Sequence, residues 1–97
     1  MTADLDRAWF AQRLGSTVGL RLADGLRVAL RVERIEDFDP ANGPRFSVVL
    51  SGPDGRVLPQ GAYPVEETGV DADLFVVPVG RAPQAIVYEA AFNLERG

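Results

Sequence analysis

The chain has 97 residues, 46% of them apolar, with ten arginines, fourteen carboxylates and a net charge of −4, and it contains no histidine, cysteine or lysine. That length makes one domain with one core, held by packing because neither a disulfide nor a thiolate metal site is available. The missing residue types carry most general-base, nucleophilic, Schiff-base and metal-site chemistry, and an acidic chain repels a phosphate backbone, so composition argues against an enzyme, a metal protein and a nucleic-acid binder.

In chain order, Asp4 is placed to cap a helix over about residues 5–14, with Gly15 where a left-handed terminating residue is wanted. Leu5 and Trp9, and Phe10 and Leu14, each lie four apart, so this short helix must dock on a sheet, with Trp9 as its anchor. From Thr17 the period changes to two. Val18, Leu20 and Leu22, then Leu26, Val28, Leu30 and Val32, alternate with arginines and small residues, which predicts a half-buried hairpin. A two-residue Asp24-Gly25 loop sets Leu22 against Arg27 and mixes the faces. A three-residue loop, Ala23-Asp24-Gly25, pairs Leu22 with Leu26, Leu20 with Val28 and Val18 with Leu30, with Gly25 at positive φ. The same register puts Arg21 opposite Arg27.

Alternation slips after Val32, predicting a bulge or a strand end, and Asp37 to Gly43 reads as a loop. Phe46, Val48 and Leu50 form a third strand, Gly52-Pro53-Asp54-Gly55 a turn, and a fourth strand runs from Tyr63 to Glu67. A fifth covers Leu74 to Val79 and a sixth Ala85 to Asn93. Pro64 and Pro78 each require a sheet edge or a bulge, since neither donates to a ladder. A five-residue connection from Gly80 to Gln84 pairs Pro78 with Ile86 and Val76 with Tyr88. It leaves Phe75, Val77, Val79 and Val87 on a second apolar face, to be covered by the helix or by another subunit.

The expected fold is all-β: a six-stranded antiparallel meander forming a small closed or partly open barrel with a short N-terminal helix, the alternative being a two-layer sandwich. The N-terminus lacks a basic, apolar leader and no stretch approaches the roughly 18 apolar residues of a membrane span, so a cytoplasmic protein without a membrane span is expected.

Phe46-Ser47, Gly52-Pro53, Leu58-Pro59-Gln60-Gly61-Ala62-Tyr63, Phe75-Val76-Val77-Pro78-Val79-Gly80 and Tyr88-Glu89-Ala90-Ala91-Phe92-Asn93 occur in order over nearly the whole chain. This signature resembles an uncharacterised family of small bacterial all-β domains whose members look like companions of phage-tail-collar-type proteins. The resemblance implies a part in a tail-derived or fibre-like assembly, and it transfers no active-site residue.

Residue by residue, the candidate chemistry is thin. Glu33, Glu36, Asp37 and Asp39 before Asn42-Gly43 lack calcium-loop spacing and read as a solvated turn. Glu66, Glu67, Asp71 and Asp73 are not placed on one wall by the pattern, as an acid and base pair requires. Ser47 and Ser51 have no activating base. Two surfaces remain as partner-binding candidates: the Arg21, Arg27 and Arg31 row, suited to an acidic partner, and the Phe75, Val77, Val79 and Val87 face. The expected function is a structural or protein-interaction module with no cofactor. Its partners are proteins, including tail-collar-type proteins or further copies of itself. The alternative is a small barrel that binds a ligand or peptide.

Overall fold

The computed structural model describes residues 5–37 and 45–93. A helix, α1 (Arg7–Ala11), precedes six strands: β1 (Thr17–Arg21), β2 (Arg27–Asp37), β3 (Arg45–Pro53), β4 (Gly61–Pro64), β5 (Asp73–Ala82) and β6 (Ala85–Asn93). All pairings are antiparallel, in the order β1-β2-β3-β6-β5-β4. A bridge between Leu20 and Val65 joins the two outer strands and nearly closes the sheet into a barrel.

The barrel is as expected, but its strand order is not a plain meander. Two three-stranded meanders, β1-β2-β3 and β4-β5-β6, meet where β3 pairs with β6 over nine rungs, from Arg45↔Asn93 to Pro53↔Ala85. Residues 54–60 therefore cross the barrel end that also carries the β1–β2 and β5–β6 turns. The physical reason is Leu58: it is 2% exposed, and its N–H donates to the Tyr88 hydroxyl at 2.9 Å, so the connection is pinned into the core instead of folding back as a hairpin.

Alternation decides what fills the interior. Val18, Leu20, Leu30, Val32, Val48, Leu50, Leu74, Val76 and Tyr88 point inward and are fully buried or nearly so. The first hairpin has the expected register, with Arg21 opposite Arg27, Leu22 N–H donating to the Leu26 carbonyl at 2.7 Å, and Gly25 at φ +86°. The slip after Val32 is a register shift between Val32 and Arg34. Pro64 ends β4 on the seam side, and Pro78 borders a second register shift.

Three local expectations are corrected. First, the helix is five residues long, because residues 12–16 tighten into turns that bring the Gly15 N–H to the Val32 carbonyl (2.9 Å) and start pairing with β2. Its cap is Asp6, which accepts from Trp9 N–H at 2.9 Å; Asp4 lies outside the described residues, as do Asp39, Asn42 and Gly43. Second, β5 and β6 are joined by a two-residue turn with Gln84 at φ +66°, and Pro78 faces Tyr88, not Ile86. The irregularity at Val79 absorbs the difference. Third, α1 does not cover the outer face of β5 and β6. Phe10 (0% exposed) enters the barrel end opposite the crossing connection, against Phe92 at 5.4 Å, and Phe92 stacks on Phe46 at 4.7 Å. Trp9 packs edge-on against Phe10. The helix is a plug for an open end, which leaves the other apolar face bare.

Candidate functional site

Because the interior is filled, anything the protein contacts meets its outside. The two sequence candidates lie on different parts of that outside, and the structure treats them differently.

The arginine row lies on the outer face of β1 and β2, where Val18 and Leu20 pointing inward forces Gly19, Arg21, Arg27 and Arg31 to point outward. Arg21 is taken up internally. Its guanidinium forks onto Glu66 across the β1–β4 seam, with Nε to Oε1 at 3.3 Å, beside a backbone bond from Glu66 N–H to the Gly19 carbonyl at 2.8 Å. Those hydrogen bonds hold the Glu66 carboxyl below the usual carboxylate range, and the charges of Arg21 and Arg27 reinforce the shift. The Arg21–Arg27 juxtaposition thus has a local explanation: one carboxylate from the far side of the seam offsets both. Arg27 lies across Gly19, close enough that a Cβ there would meet its guanidinium. Arg31 approaches Glu33 at 3.8 Å, and Ser51 Oγ donates to the same carboxylate at 2.6 Å. Ser51 is thereby a surface hydrogen-bond donor, while Ser47 is buried in the sheet.

A hollow of about 510 Å³ opens beside this seam, lined by Arg21 and by residues of the 64–73 segment. It gathers Glu66, Glu67, Asp71 and Asp73 around one opening, a grouping that the sequence pattern does not place. The two glutamates are occupied, Glu66 by Arg21 and Glu67 by Arg13 at 3.6 Å. Arg13 also sits 3.7 Å over the Trp9 ring and donates to the Trp9 carbonyl, so this hollow is braced to the helix. Among the described residues no group of three or more potential ligands is arranged to hold a metal ion. Tyr88 is fully buried and Tyr63 donates to the Pro59 carbonyl at 2.6 Å, so the two tyrosines do not share a pocket with these carboxylates.

The second candidate is exposed as the sequence requires and is left uncovered. Phe75 is 51% and Val79 55% exposed, with Val77 and Val87 half-buried beside them on the outer face of β5 and β6. Phe75 is outward because Leu74 and Val76 fill the core, and Val79 because the irregularity beside Pro78 lifts it out of the ladder. Sequence reasoning missed what borders this face on β3, where the neighbouring Val49 is buried. Val49 stands opposite Glu89, which stands opposite Val77, so the carboxylate is set between two valines. The β3–β6 pairing that creates this row joins residues forty apart, and local periodicity carries no signal for it.

A family model described as Domain of unknown function (DUF6916) matches residues 5–92. No curated protein and no solved structure matches the chain.

Proposed function

We propose that this chain, which belongs to the DUF6916 family of domains of unknown function, works as a non-enzymatic structural and protein-interaction module. The observation that carries the reading is the bare apolar strip on the outer face of β5 and β6, where Phe75 and Val79 are each more than half exposed although the helix that was available to cover them is used elsewhere. Aromatic and aliphatic side chains clustered on a rigid sheet gain free energy when another protein removes them from water. The arginine row is a secondary contact surface, because Arg27 carries no ion pair among the described residues, whereas Arg21 is committed to the seam.

The resemblance to companions of tail-collar-type proteins makes a tail-derived or fibre-like assembly the setting to examine, with a tail-collar-type protein as the first partner to try. The test is purification of the tagged chain from its source cells with its native partners, using the parent and a Phe75→Glu, Val79→Glu variant. Both substitutions fall on exposed positions and should leave folding intact. Loss of a stoichiometric partner from the variant supports the reading. An unchanged complex removes the face from it.

A further inference from the structure

The apolar strip also carries a charge pattern that selects its occupant. The outward rungs of β4, β5 and β6 are Pro64↔Asp73, Ala62↔Phe75, Val77↔Glu89 and Gly80↔Val87, while Arg81 stands opposite the core-facing Ile86 on the other face of the sheet. The strip therefore presents two charges, and both are carboxylates: Glu89 in its middle, half-buried between Val49 and Val77, and Asp73 at its end, on the outward rung next to that of Phe75. Neither has a cation within ion-pair distance among the described residues. The arginine on the row of Glu89, Arg34, stands beyond Val49 and donates to Glu36 at 2.9 Å. We infer that the strip docks a protein segment whose arginine or lysine side chains flank an apolar centre, the two cations meeting Asp73 and Glu89. The inference rests on the reading of the strip as a docking surface.

The register sets the spacing. Asp73 and Glu89 are separated by the run from Asp73 to Val77 along β5 and by one strand across, about 14 Å. In an extended segment the first, third and fifth side chains share a face and span about 13 Å, so cations at the first and fifth reach the two carboxylates while the third covers Phe75 and Val77. Desolvation favours such a partner over a wholly apolar one. A carboxylate half-buried in an apolar strip loses further hydration when apolar surface covers it, and a guanidinium or ammonium group offsets that cost with a charge-assisted hydrogen bond. An arginine laid over Phe75 gains in addition from the ring face. An acidic partner meets like charge at both ends and is rejected.

NMR titration of the intact chain with a defined probe tests this. The probe is a capped seven-residue peptide with arginine at its second and sixth positions, valine at its fourth and threonine elsewhere, run beside a matched peptide carrying glutamate for arginine. The expected result is saturable shifts at Phe75, Val77, Val87 and Glu89 with the arginine peptide and none with the glutamate peptide. Glu89→Gln and Asp73→Asn, which keep size and leave the core untouched, should each weaken binding by about three- to tenfold, and their combination should remove most of its salt dependence. Shifts that map to the hollow at Glu67 and Thr68 instead of the strip, equal binding of the glutamate peptide, affinity indifferent to both substitutions, or no shift at millimolar peptide each overturns the proposal. Sedimentation velocity of the chain alone covers the remaining occupant: a dimer that Phe75→Glu, Val79→Glu abolishes gives the strip to a second copy and also overturns it. A native complex lost on Phe75→Glu, Val79→Glu but kept by Glu89→Arg, Asp73→Arg retains the docking reading and removes only the cationic partner.

Discussion

The hydroxyl of Tyr88 accepts a hydrogen bond at 2.9 Å from the backbone N–H of Leu58, thirty residues earlier. This contact joins the connection that crosses the barrel end to the strand on which the two halves of the sheet meet. It satisfies a backbone donor that is otherwise buried, and no buried side-chain polar atom lacks a partner among the described residues.

Tyr88→Phe keeps the ring and removes the acceptor, leaving the Leu58 N–H orphaned in the core. The expected loss is about 1 to 3 kcal/mol, read as a lower urea midpoint at unchanged slope. A variant as stable as the parent would mean that the crossing segment is held by Leu58 packing alone.

Phe10→Ala should cost about 3 to 5 kcal/mol, since a fully buried ring in contact with Trp9 and Phe92 is replaced by a cavity at the barrel end. Phe75→Ala, at a residue half exposed, should change stability far less. Comparing the two melting temperatures checks whether the helix is a plug.

Gly52 and Gly19 both sit against neighbouring side chains, but the neighbours differ. A Cβ at Gly52 meets Leu30 Cδ2 at 2.6 Å and Tyr88 at 3.3 Å, both fixed in the core, whereas the nearest atoms to one at Gly19 belong to the end of the exposed Arg27 side chain, which is long enough to swing away. Gly52→Ala should therefore destabilise by about 1 to 3 kcal/mol and Gly19→Ala by much less. Parallel denaturant titrations decide it, and equal losses would contradict the assignment.

The Arg21–Glu66 pair gives stability a definite pH dependence. Glu66 binds its proton less readily in the folded chain than in the unfolded one, so the contribution is fully present above the unfolded-state value and is lost as pH falls through the depressed folded-state value. Asp37, held down by its hydrogen bonds from Arg7, follows the same sign. Both pairs are water-exposed, so the effect is modest and shrinks with salt. Melting temperatures measured on the acid side should fall less steeply for Arg21→Ala than for the parent at low ionic strength; superimposable curves would show that the fork adds nothing.

What the sequence discloses is whatever is decided locally. The Ala23-Asp24-Gly25 loop, the slip after Val32 and the constraints at Pro64 and Pro78 follow from turn chemistry and from alternation within a few residues. The pairing of β3 with β6 does not, because it depends on Leu58 being pulled into a core assembled from distant strands. For the same reason Arg21 and Arg27 are legible as neighbours while Glu66, which offsets both, is not. The β5–β6 turn misleads because Gln84 occupies a conformation that glycine usually takes, so no residue type marks it.

The cylinder is fastened along two lines of very unequal strength. β3 and β6 meet over nine rungs, whereas β1 and the segment after β4 meet at one β-bridge, Leu20–Val65, flanked by the bond from Glu66 N–H to the Gly19 carbonyl and by the Arg21–Glu66 fork. Thermal opening is therefore expected to start at the weaker fastening, with the β3–β6 spine as the hinge of a latched cuff and both three-stranded halves still paired. A chain opened this way would expose β1 and β4 as free edges with unpaired backbone groups, so strand addition from a neighbouring chain is expected to start along that line.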